Sequence, residues 1–147
     1  KEMLGTCHFF RGLYYYNIVT RWRNVPIIKG SGGENQVQAE EASVWEFVAE
    51  EFRTSYLLSA DFSSKNYVSK EAASALLART YLAMGRKGDA AALAEGLIDG
   101  QLFSLADFSS IFRGKTNAEE IFTFANLIQE SSVNMSSYYY TKDSGVG

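Results

Sequence analysis

The amino-acid sequence predicts a mainly α-helical fold, in which helical hairpins are followed by a short strand and a loop-rich C-terminal segment. Apolar side chains recur at intervals of three and four residues in four stretches, and this spacing places them on one face of a helix. Glycine-rich or polar segments separate the stretches. The 147 residues are 46% apolar, so the chain can bury one core and is expected to form one domain over residues 1–147.

The first helix is predicted over residues 2–23. Its apolar side chains form one broad face made of Met3, Cys7, Phe10, Tyr14, Ile18 and Trp22, with Phe9, Leu13 and Tyr16 beside them. A helix this rich in aromatic residues is expected to be buried on most sides. We expect Asn24 to end the helix in the left-handed conformation, and Pro26 to hold Val25 in an extended geometry.

A second helix is predicted over residues 43–58, after a polar stretch at 29–41. Ser43 and Glu46 have the spacing of a capping box, which would start the helix. Its apolar stripe consists of Val44, Phe47, Val48, Phe52 and Tyr56. Its carboxylates are predicted to form a solvated face made of Glu40, Glu41, Glu46, Glu50 and Glu51. We therefore do not expect these carboxylates to act as acid–base pairs.

The clearest hairpin lies between residues 69 and 99. Ser69 can cap a helix over 69–85, and a further helix over 88–99 follows a break at Gly85 to Gly88. The first of these helices has an apolar face made of Ala73, Leu76, Leu77, Tyr81 and Met84. Small and aromatic residues recur at the spacing of tetratricopeptide repeats, namely Ala78, Tyr81, Gly85 and Ala90. This pattern predicts tetratricopeptide-like hairpins that stack into an α-α superhelix, because one repeat cannot bury its own apolar face.

The pattern changes after Gly100. A short helical turn is predicted at 106–112 and, from the alternation of side chains, a strand at 121–127. Residues 129–147 show no helical period and form the loop-rich end. This end carries three consecutive tyrosines, Tyr138, Tyr139 and Tyr140. For them, contact with the core or a partner is favoured over stacking on a sugar.

Composition and charge argue against several classes of function. A net charge of −3 with interspersed charges argues against a nucleic-acid surface. A single cysteine excludes an internal disulfide and a cysteine-based zinc site, and a single histidine excludes a multi-histidine metal site. No apolar run reaches the roughly 18 residues of a membrane span. No constellation of acid, base or metal ligand stands out, so we predict no catalytic residue, metal or cofactor.

Three local motifs suggest chemistry but have plainer interpretations. The segment Leu4 to Cys7 resembles a lipobox, but only three residues precede it, too few for the basic and apolar segments that a lipobox needs. Because Cys7 lies on the apolar stripe of the first helix, we expect it to be a buried thiol. A nucleophilic pair of Cys7 and His8 is not expected, because adjacent helical residues point about 100° apart. His8 is expected to be partly exposed. The segment Gly30 to Gly33 lacks the Lys-Ser or Lys-Thr of a phosphate loop and is expected to be a mobile surface loop.

Trp22 and Trp45 lie on apolar stripes and are expected to pack against other helices.

Five segments in chain order carry a resemblance to a known family. The first helix and the turn after it contribute Arg11, Gly12, Tyr15, Tyr16, Arg23, Asn24, Val25 and Pro26. The hairpin helix contributes Lys70, Ala72, Ala73, Ala75 to Arg79, Tyr81 and Leu82. A later Asn-x-Glu-x-Ile-Phe pattern contributes Asn117, Glu119, Ile121 and Phe122. Together with 44–52 and 102–112, these segments resemble the SusD/RagB family of outer-membrane nutrient-binding lipoproteins.

The resemblance implies a cell-surface protein of a Bacteroidetes-type bacterium. Such a protein captures a glycan or a peptide and passes it to a TonB-dependent outer-membrane transporter without catalysis. The lipid anchor would lie outside this chain, which we expect to be part of a longer protein. The resemblance carries over no ligand-binding residue, because the aromatics that contact glycans in the family lie largely in variable loops.

Two other functional classes remain open at the level of the sequence. A generic tetratricopeptide scaffold would bind a peptide in its groove and predicts regular repeats, whereas the chain shows one good hairpin. A glycoside hydrolase fragment would require a pair of catalytic carboxylates, and no such pair stands out.

Overall fold

The computed structural model describes residues 1–30, 37–111 and 118–124, and these residues are mainly helical, which confirms the predicted fold class. The helices are α1 (Glu2–Trp22), α2 (Glu41–Leu58), α3 (Lys70–Ala83), α4 (Lys87–Asp99) and the short α5 (Phe108–Ile111). Two short strands, β1 (Val25–Pro26) and β2 (Gln38–Ala39), pair antiparallel between α1 and α2, with Val25 opposite Ala39. Among the helices of these described residues there is no candidate for a membrane-spanning segment.

Consecutive helices pack side by side, α1 on α2, α2 on α3 and α3 on α4. Gly5 near the start of α1 lies against Ser59 just after α2, so these two helices run antiparallel. Lys70 N–H donates to the Ala60 carbonyl at 2.9 Å, which brings the start of α3 beside the end of α2. The fully buried core between the first three helices contains Phe9, Val19, Val44, Val48, Ala49, Phe52 and Ala73.

The buried face of α1 differs from the predicted one. The helix buries Gly5, Phe9, Gly12, Tyr15 and Val19. Met3, Tyr14 and Trp22 of the predicted face are 82%, 63% and 63% exposed. The glycines explain the difference, because both sides of α1 are apolar but only the glycine side allows close approach. A Cβ at Gly5 would lie 2.7 Å from Ser59 Oγ, and one at Gly12 would lie 3.0 Å from the Phe52 ring.

The turn between α1 and α2 also differs from the sequence prediction. Asn24 does not take the predicted left-handed conformation; the residue with a positive φ is Arg23, and its φ of 59° and ψ of −86° are not those of a left-handed helical cap. Asn24 Oδ1 instead accepts a hydrogen bond from Glu41 N–H at 2.9 Å, so it satisfies a first-turn donor of α2. The predicted capping box is wrong, because α2 already begins at Glu41 and Ser43 lies inside its first turn. A residue 17 positions away in the chain supplies the cap.

The α3–α4 hairpin forms as predicted. Ser69 Oγ accepts a hydrogen bond from Ala72 N–H at 3.1 Å and caps α3. Gly85 has φ +76° in the turn, a conformation that favours glycine. Tyr81 and Ala90 are both buried, and the Arg86 guanidinium lies 4.2 Å from the centre of the Tyr81 ring. The tyrosine therefore packs inside the hairpin at the position that the repeat spacing predicts.

The predicted strand at 121–127 does not form in its described part, residues 121–124. Its backbone makes a hydrogen bond from Thr123 N–H to the Lys65 carbonyl at 2.8 Å, while Ile121 and Phe122 pack on the helical core. The alternation therefore reflects packing against helices rather than a sheet. Residues 125–127, the tail at 129–147 with Tyr138, Tyr139 and Tyr140, and most of the Gly30 to Gly33 segment lie outside the described residues.

Candidate functional site: a cleft lined by two phenylalanine rings

Cys7 and His8 occupy different environments from those of a catalytic pair. Cys7 is exposed, contrary to the predicted buried thiol, because α1 turns its other side toward α2. His8 is partly exposed as predicted, and its Nδ1 lies 2.9 Å from Glu51 Oε2. The histidine therefore pairs with a carboxylate on α2 rather than with its neighbouring thiol.

Glu51 is the centre of a closed ionic cluster, contrary to its predicted place on a solvated face. The residue is only 4% exposed. Arg11 donates to both of its carboxylate oxygens, from Nε at 2.8 Å and from Nη2 at 2.7 Å. These hydrogen bonds to Glu51 raise the pKa of Arg11 above its ordinary value. A buried carboxylate needs such paired donors, because leaving it without them is costly.

This cluster holds α1 and α2 together, and we call it the Arg11–Glu51 clamp. Arg11 and His8 come from α1, and both bond to the single carboxylate of Glu51 on α2. The predicted solvation holds for Glu46 and Glu50, whose side chains are 58% and 62% exposed and pair with Arg53. The sequence carries a weak signal for the difference, because Glu51 lies seven residues after Val44 and three after Val48, which is the spacing of the same helix face.

Tyr15 forms a second link between α1 and the chain that follows it. Its hydroxyl donates to the Pro26 carbonyl at 3.2 Å and accepts from Ile28 N–H at 2.8 Å. The ring is 9% exposed, so a buried aromatic body ends in a satisfied polar tip. Arg11, Gly12 and Tyr15 thus have a shared physical role, which is to fix α1 to α2 and to the extended segment.

A cleft of about 370 Å³ lies between the α2–α3 loop and the chain after α4. We call it the Phe62–Phe103 cleft, and its lining is Phe62, Ser63, Ser64, Lys65, Asn66, Leu102, Phe103, Ala118 and Glu120. The two rings meet edge to face, with centres 4.8 Å apart. Lys65 and Glu120 form an ion pair at the same place. Ligand clefts typically combine apolar rings with a few convergent polar groups in about 300–1,000 Å³, and this cleft has both features.

The sequence did not indicate this cleft. Its residues come from two loops and from the segment after residue 117, and none of them lies on a periodic helix face. The Asn-x-Glu-x-Ile-Phe pattern draws attention to Glu119, whereas Glu120 is the carboxylate that lines the cleft. A site assembled from loops that are distant in sequence leaves no spacing to detect.

A second pocket lies where the start of α2 meets the α3–α4 turn, and it offers little aromatic surface. Its lining includes Glu41, Trp45, Glu46, Met84 and Arg86. Trp45 is 9% exposed, which confirms it as a packing residue, and its Nε1–H donates to Glu41 Oε1 at 3.3 Å. Trp22, the other tryptophan, was wrongly predicted to pack.

Residues 121–124 lie across the groove between α1 and α3. The ring centres of Phe122 and Phe9 are 4.9 Å apart, and those of Phe124 and Phe10 are 5.9 Å apart. Leu13 of α1 and Leu76 of α3 line the remainder of the same groove. The chain therefore covers part of the groove that a tetratricopeptide scaffold would use for a peptide.

The described residues contain no group of three His, Cys, Asp or Glu side chains that could hold a metal ion.

Solved structures of the SusD superfamily share this fold. One from Bacteroides vulgatus has a TM-score of 0.76 at 22% identity and covers 82% of this chain and 28% of its own. One from Bacteroides thetaiotaomicron has a TM-score of 0.76 at 22% identity, with 87% and 32% covered. A third, described as a laminarin-binding SusD-like protein, has a TM-score of 0.62 at 25% identity, with 71% and 24% covered. The chain thus spans about a quarter to a third of the length of these structures.

A family model extends the likeness from fold to sequence. No protein with a curated description matches the chain. The model of a SusD-like family described as "Starch-binding associating with outer membrane" matches residues 1–82, which include α1, α2 and most of α3. This match covers more than half of the 147 residues and contains the Arg11–Glu51 clamp. The chain belongs to the SusD-like family.

Proposed function

We propose that this chain is the helical part of a cell-surface protein that captures a glycan without altering it. The observation that carries the proposal is the family match over residues 1–82, whose family is described as starch-binding and associated with the outer membrane. The similar structure described as a laminarin-binding SusD-like protein supports a neutral polysaccharide as the ligand class. Peptides remain the second class of nutrient to test.

Binding without catalysis is consistent with the state of the buried carboxylate. A general acid or base must reach its substrate, and Glu51 is enclosed by Arg11 and His8 at the interface of two helices. The carboxylate therefore stabilises the fold rather than meeting a glycan.

The first experiment is a binding screen. Isothermal titration calorimetry with laminarin, starch and mixed peptides would measure association, and chromatography of the recovered ligand would detect cleavage. We expect heat from at least one polysaccharide and an unchanged chain-length distribution. Shortened products would contradict the non-catalytic proposal, and binding to peptides alone would contradict the glycan.

We further propose that the full-length protein sits in the outer membrane through a lipid anchor outside this chain and delivers its ligand to a TonB-dependent transporter. Family membership supports this proposal. Fractionation of the native bacterium should recover the protein with the outer membrane, and affinity purification from mild detergent should recover such a transporter with it. Recovery from the periplasm without a transporter would contradict it.

A tetratricopeptide adaptor is the alternative. The groove between α1 and α3 would be its peptide site, but Ile121 and Phe122 already pack there against the core. The adaptor would have to displace this segment to bind a peptide, and this requirement favours the glycan-binding proposal.

A further inference from the structure

We infer that the Phe62–Phe103 cleft is a subsite for one neutral sugar residue of a glycan. The inference rests on the proposed function and adds to it a place on the molecule and a ligand chemistry. The cleft has a volume of about 370 Å³, near the lower end of the about 300–1,000 Å³ of small-molecule sites. A cleft of this size suits a single sugar ring or the end of a glycan chain.

The aromatic lining provides a surface for the apolar side of a sugar. Phe62 and Phe103 are both partly exposed, and they meet edge to face inside the lining. A pyranose ring carries C–H groups on its faces, and these groups pack on aromatic rings. Leu102 extends the apolar side of the cleft. A ligand made only of charged or fully polar groups would leave this surface without a partner.

The polar lining provides donors and acceptors for hydroxyl groups. Ser64 Oγ accepts a hydrogen bond from Asn66 N–H at 3.3 Å, which leaves its own hydroxyl hydrogen available to a ligand. Ser63 and Asn66 line the same cleft, and Asn66 is exposed. An amide offers both donors and an acceptor, as sugar hydroxyls require.

The charges of the cleft select a neutral ligand. Lys65 and Glu120 form an ion pair whose side chains are only 21% and 30% exposed, so the two charges offset each other at the site. An anionic ligand would be attracted by Lys65 but repelled by Glu120 at nearly the same distance. A neutral sugar can instead accept from the ammonium and donate to the carboxylate.

Two other pockets of the described residues fit a sugar less well. The pocket beside Trp45 offers little of that ring to a ligand, because the tryptophan is buried. The hollow bounded by Leu97, Ile98 and Ile121 is almost entirely apolar. Trp22 is 63% exposed on α1 and lines none of these pockets. It is therefore an alternative surface on which a sugar ring could stack outside the cleft.

The test compares single substitutions in the whole chain with laminarin oligosaccharides as the probe. Calorimetric Kd values would be measured for the wild-type chain and for the variants Phe103→Ala, Asn66→Ala and Trp22→Ala. We expect Phe103→Ala to weaken binding roughly tenfold or more, Asn66→Ala to weaken it severalfold, and Trp22→Ala to change it less than about twofold. Circular dichroism would establish that each variant is folded.

A second measurement does not depend on any variant folding. Amide chemical shifts of the unchanged chain, recorded during titration with the same oligosaccharide, should move at residues 62–66 and 102–103 and stay fixed along the outer face of α1. Laminarin binding with shifts centred on Trp22, or an unchanged Kd for a folded Phe103→Ala variant, would overturn the subsite and leave the proposed function standing. Absence of binding to laminarin, starch and other neutral glycans would overturn both.

Discussion

At the scale of single residues, the Arg11–Glu51 pair is the interaction whose loss we expect to cost the most. Arg11→Met removes two hydrogen bonds from a carboxylate that is 4% exposed. Breaking a buried pair costs about 3–5 kcal/mol, and the lower end applies because the Arg11 side chain is 37% exposed. We expect urea denaturation to show a loss of about 3 kcal/mol in the free energy of unfolding.

Arg53→Met is the matched control for that substitution. Arg53 pairs with Glu46 and Glu50, whose side chains are more than half exposed. Exposed ion pairs contribute about 0–1 kcal/mol, so the control should lose far less stability than Arg11→Met. Adding Glu51→Leu to Arg11→Met should restore part of the loss, because it removes a buried carboxylate that would otherwise keep only His8 as its partner. Equal losses for the two arginine variants would show that Glu51 does not depend on Arg11.

Two helical glycines give opposite predictions for the same substitution. Gly12→Ala would place a Cβ 3.0 Å from the Phe52 ring and 3.2 Å from Glu51 Cβ, and crowding of this kind costs about 1–3 kcal/mol, which exceeds the about 0.5–1 kcal/mol that alanine gains over glycine in a helix. Gly96 in α4 has no such neighbour within 4 Å. Gly96→Ala should therefore stabilise the protein by about 0.5–1 kcal/mol through helix propensity. Thermal denaturation should move the two midpoints in opposite directions. A stabilising Gly12→Ala would contradict the close α1–α2 contact.

At the scale of elements, periodicity predicted the helices well and their orientation less well. The α3–α4 hairpin followed from Ser69, Tyr81 and Gly85, because its cap, packing and turn all depend on nearby residues. The buried side of α1 did not follow, because its apolar residues lie on two sides. Gly5 and Gly12 mark the side of close approach, and a prediction weighted by glycine position would have found it.

Residues 121–124 show why the predicted strand was wrong in its described part. Alternating apolar residues indicate a strand only when a neighbouring strand is present, and here α1 and α3 provide the apolar surface instead. The candidate cleft was unpredictable for a related reason. Phe62 and Phe103 meet only because α2, α3 and α4 fold back on one another, so their proximity depends on tertiary structure.

Phe122 is expected to hold this segment on the helices. Its ring contacts those of Phe9 and Phe10, with centres 4.9 Å and 6.2 Å away. Phe122→Ala should cost about 2 kcal/mol, below the about 3–5 kcal/mol of a fully buried phenylalanine because Phe122 is partly exposed. Amide hydrogen exchange at Thr123, whose N–H bonds to Lys65, should accelerate in the variant. Leu105→Ala, at a side chain that is 91% exposed, should change neither quantity.

At the scale of the whole molecule, the helices form a framework and the loops carry the candidate site. The family match covers α1, α2 and most of α3, where the clamp and the buried core lie. The Phe62–Phe103 cleft draws on the loop between α2 and α3 and on residues beyond α4. Such a division allows loop residues to vary with the ligand while the clamp preserves the framework.

The salt dependence of binding distinguishes the proposed ligand from a charged one. Coulomb attraction between exposed charges weakens as the Debye length falls from roughly 10 Å at 0.1 M salt to roughly 3 Å at 1 M. The cleft pairs Lys65 with Glu120, and a neutral glycan adds no charge, so little attraction is available for salt to screen. We expect the calorimetric Kd for laminarin oligosaccharides to change less than about twofold between these two salt concentrations. A charged ligand that paired with only Lys65 or only Glu120 would lose affinity with salt, because such attraction would contribute to its binding. A Kd for laminarin that rises tenfold or more would contradict a neutral binding site.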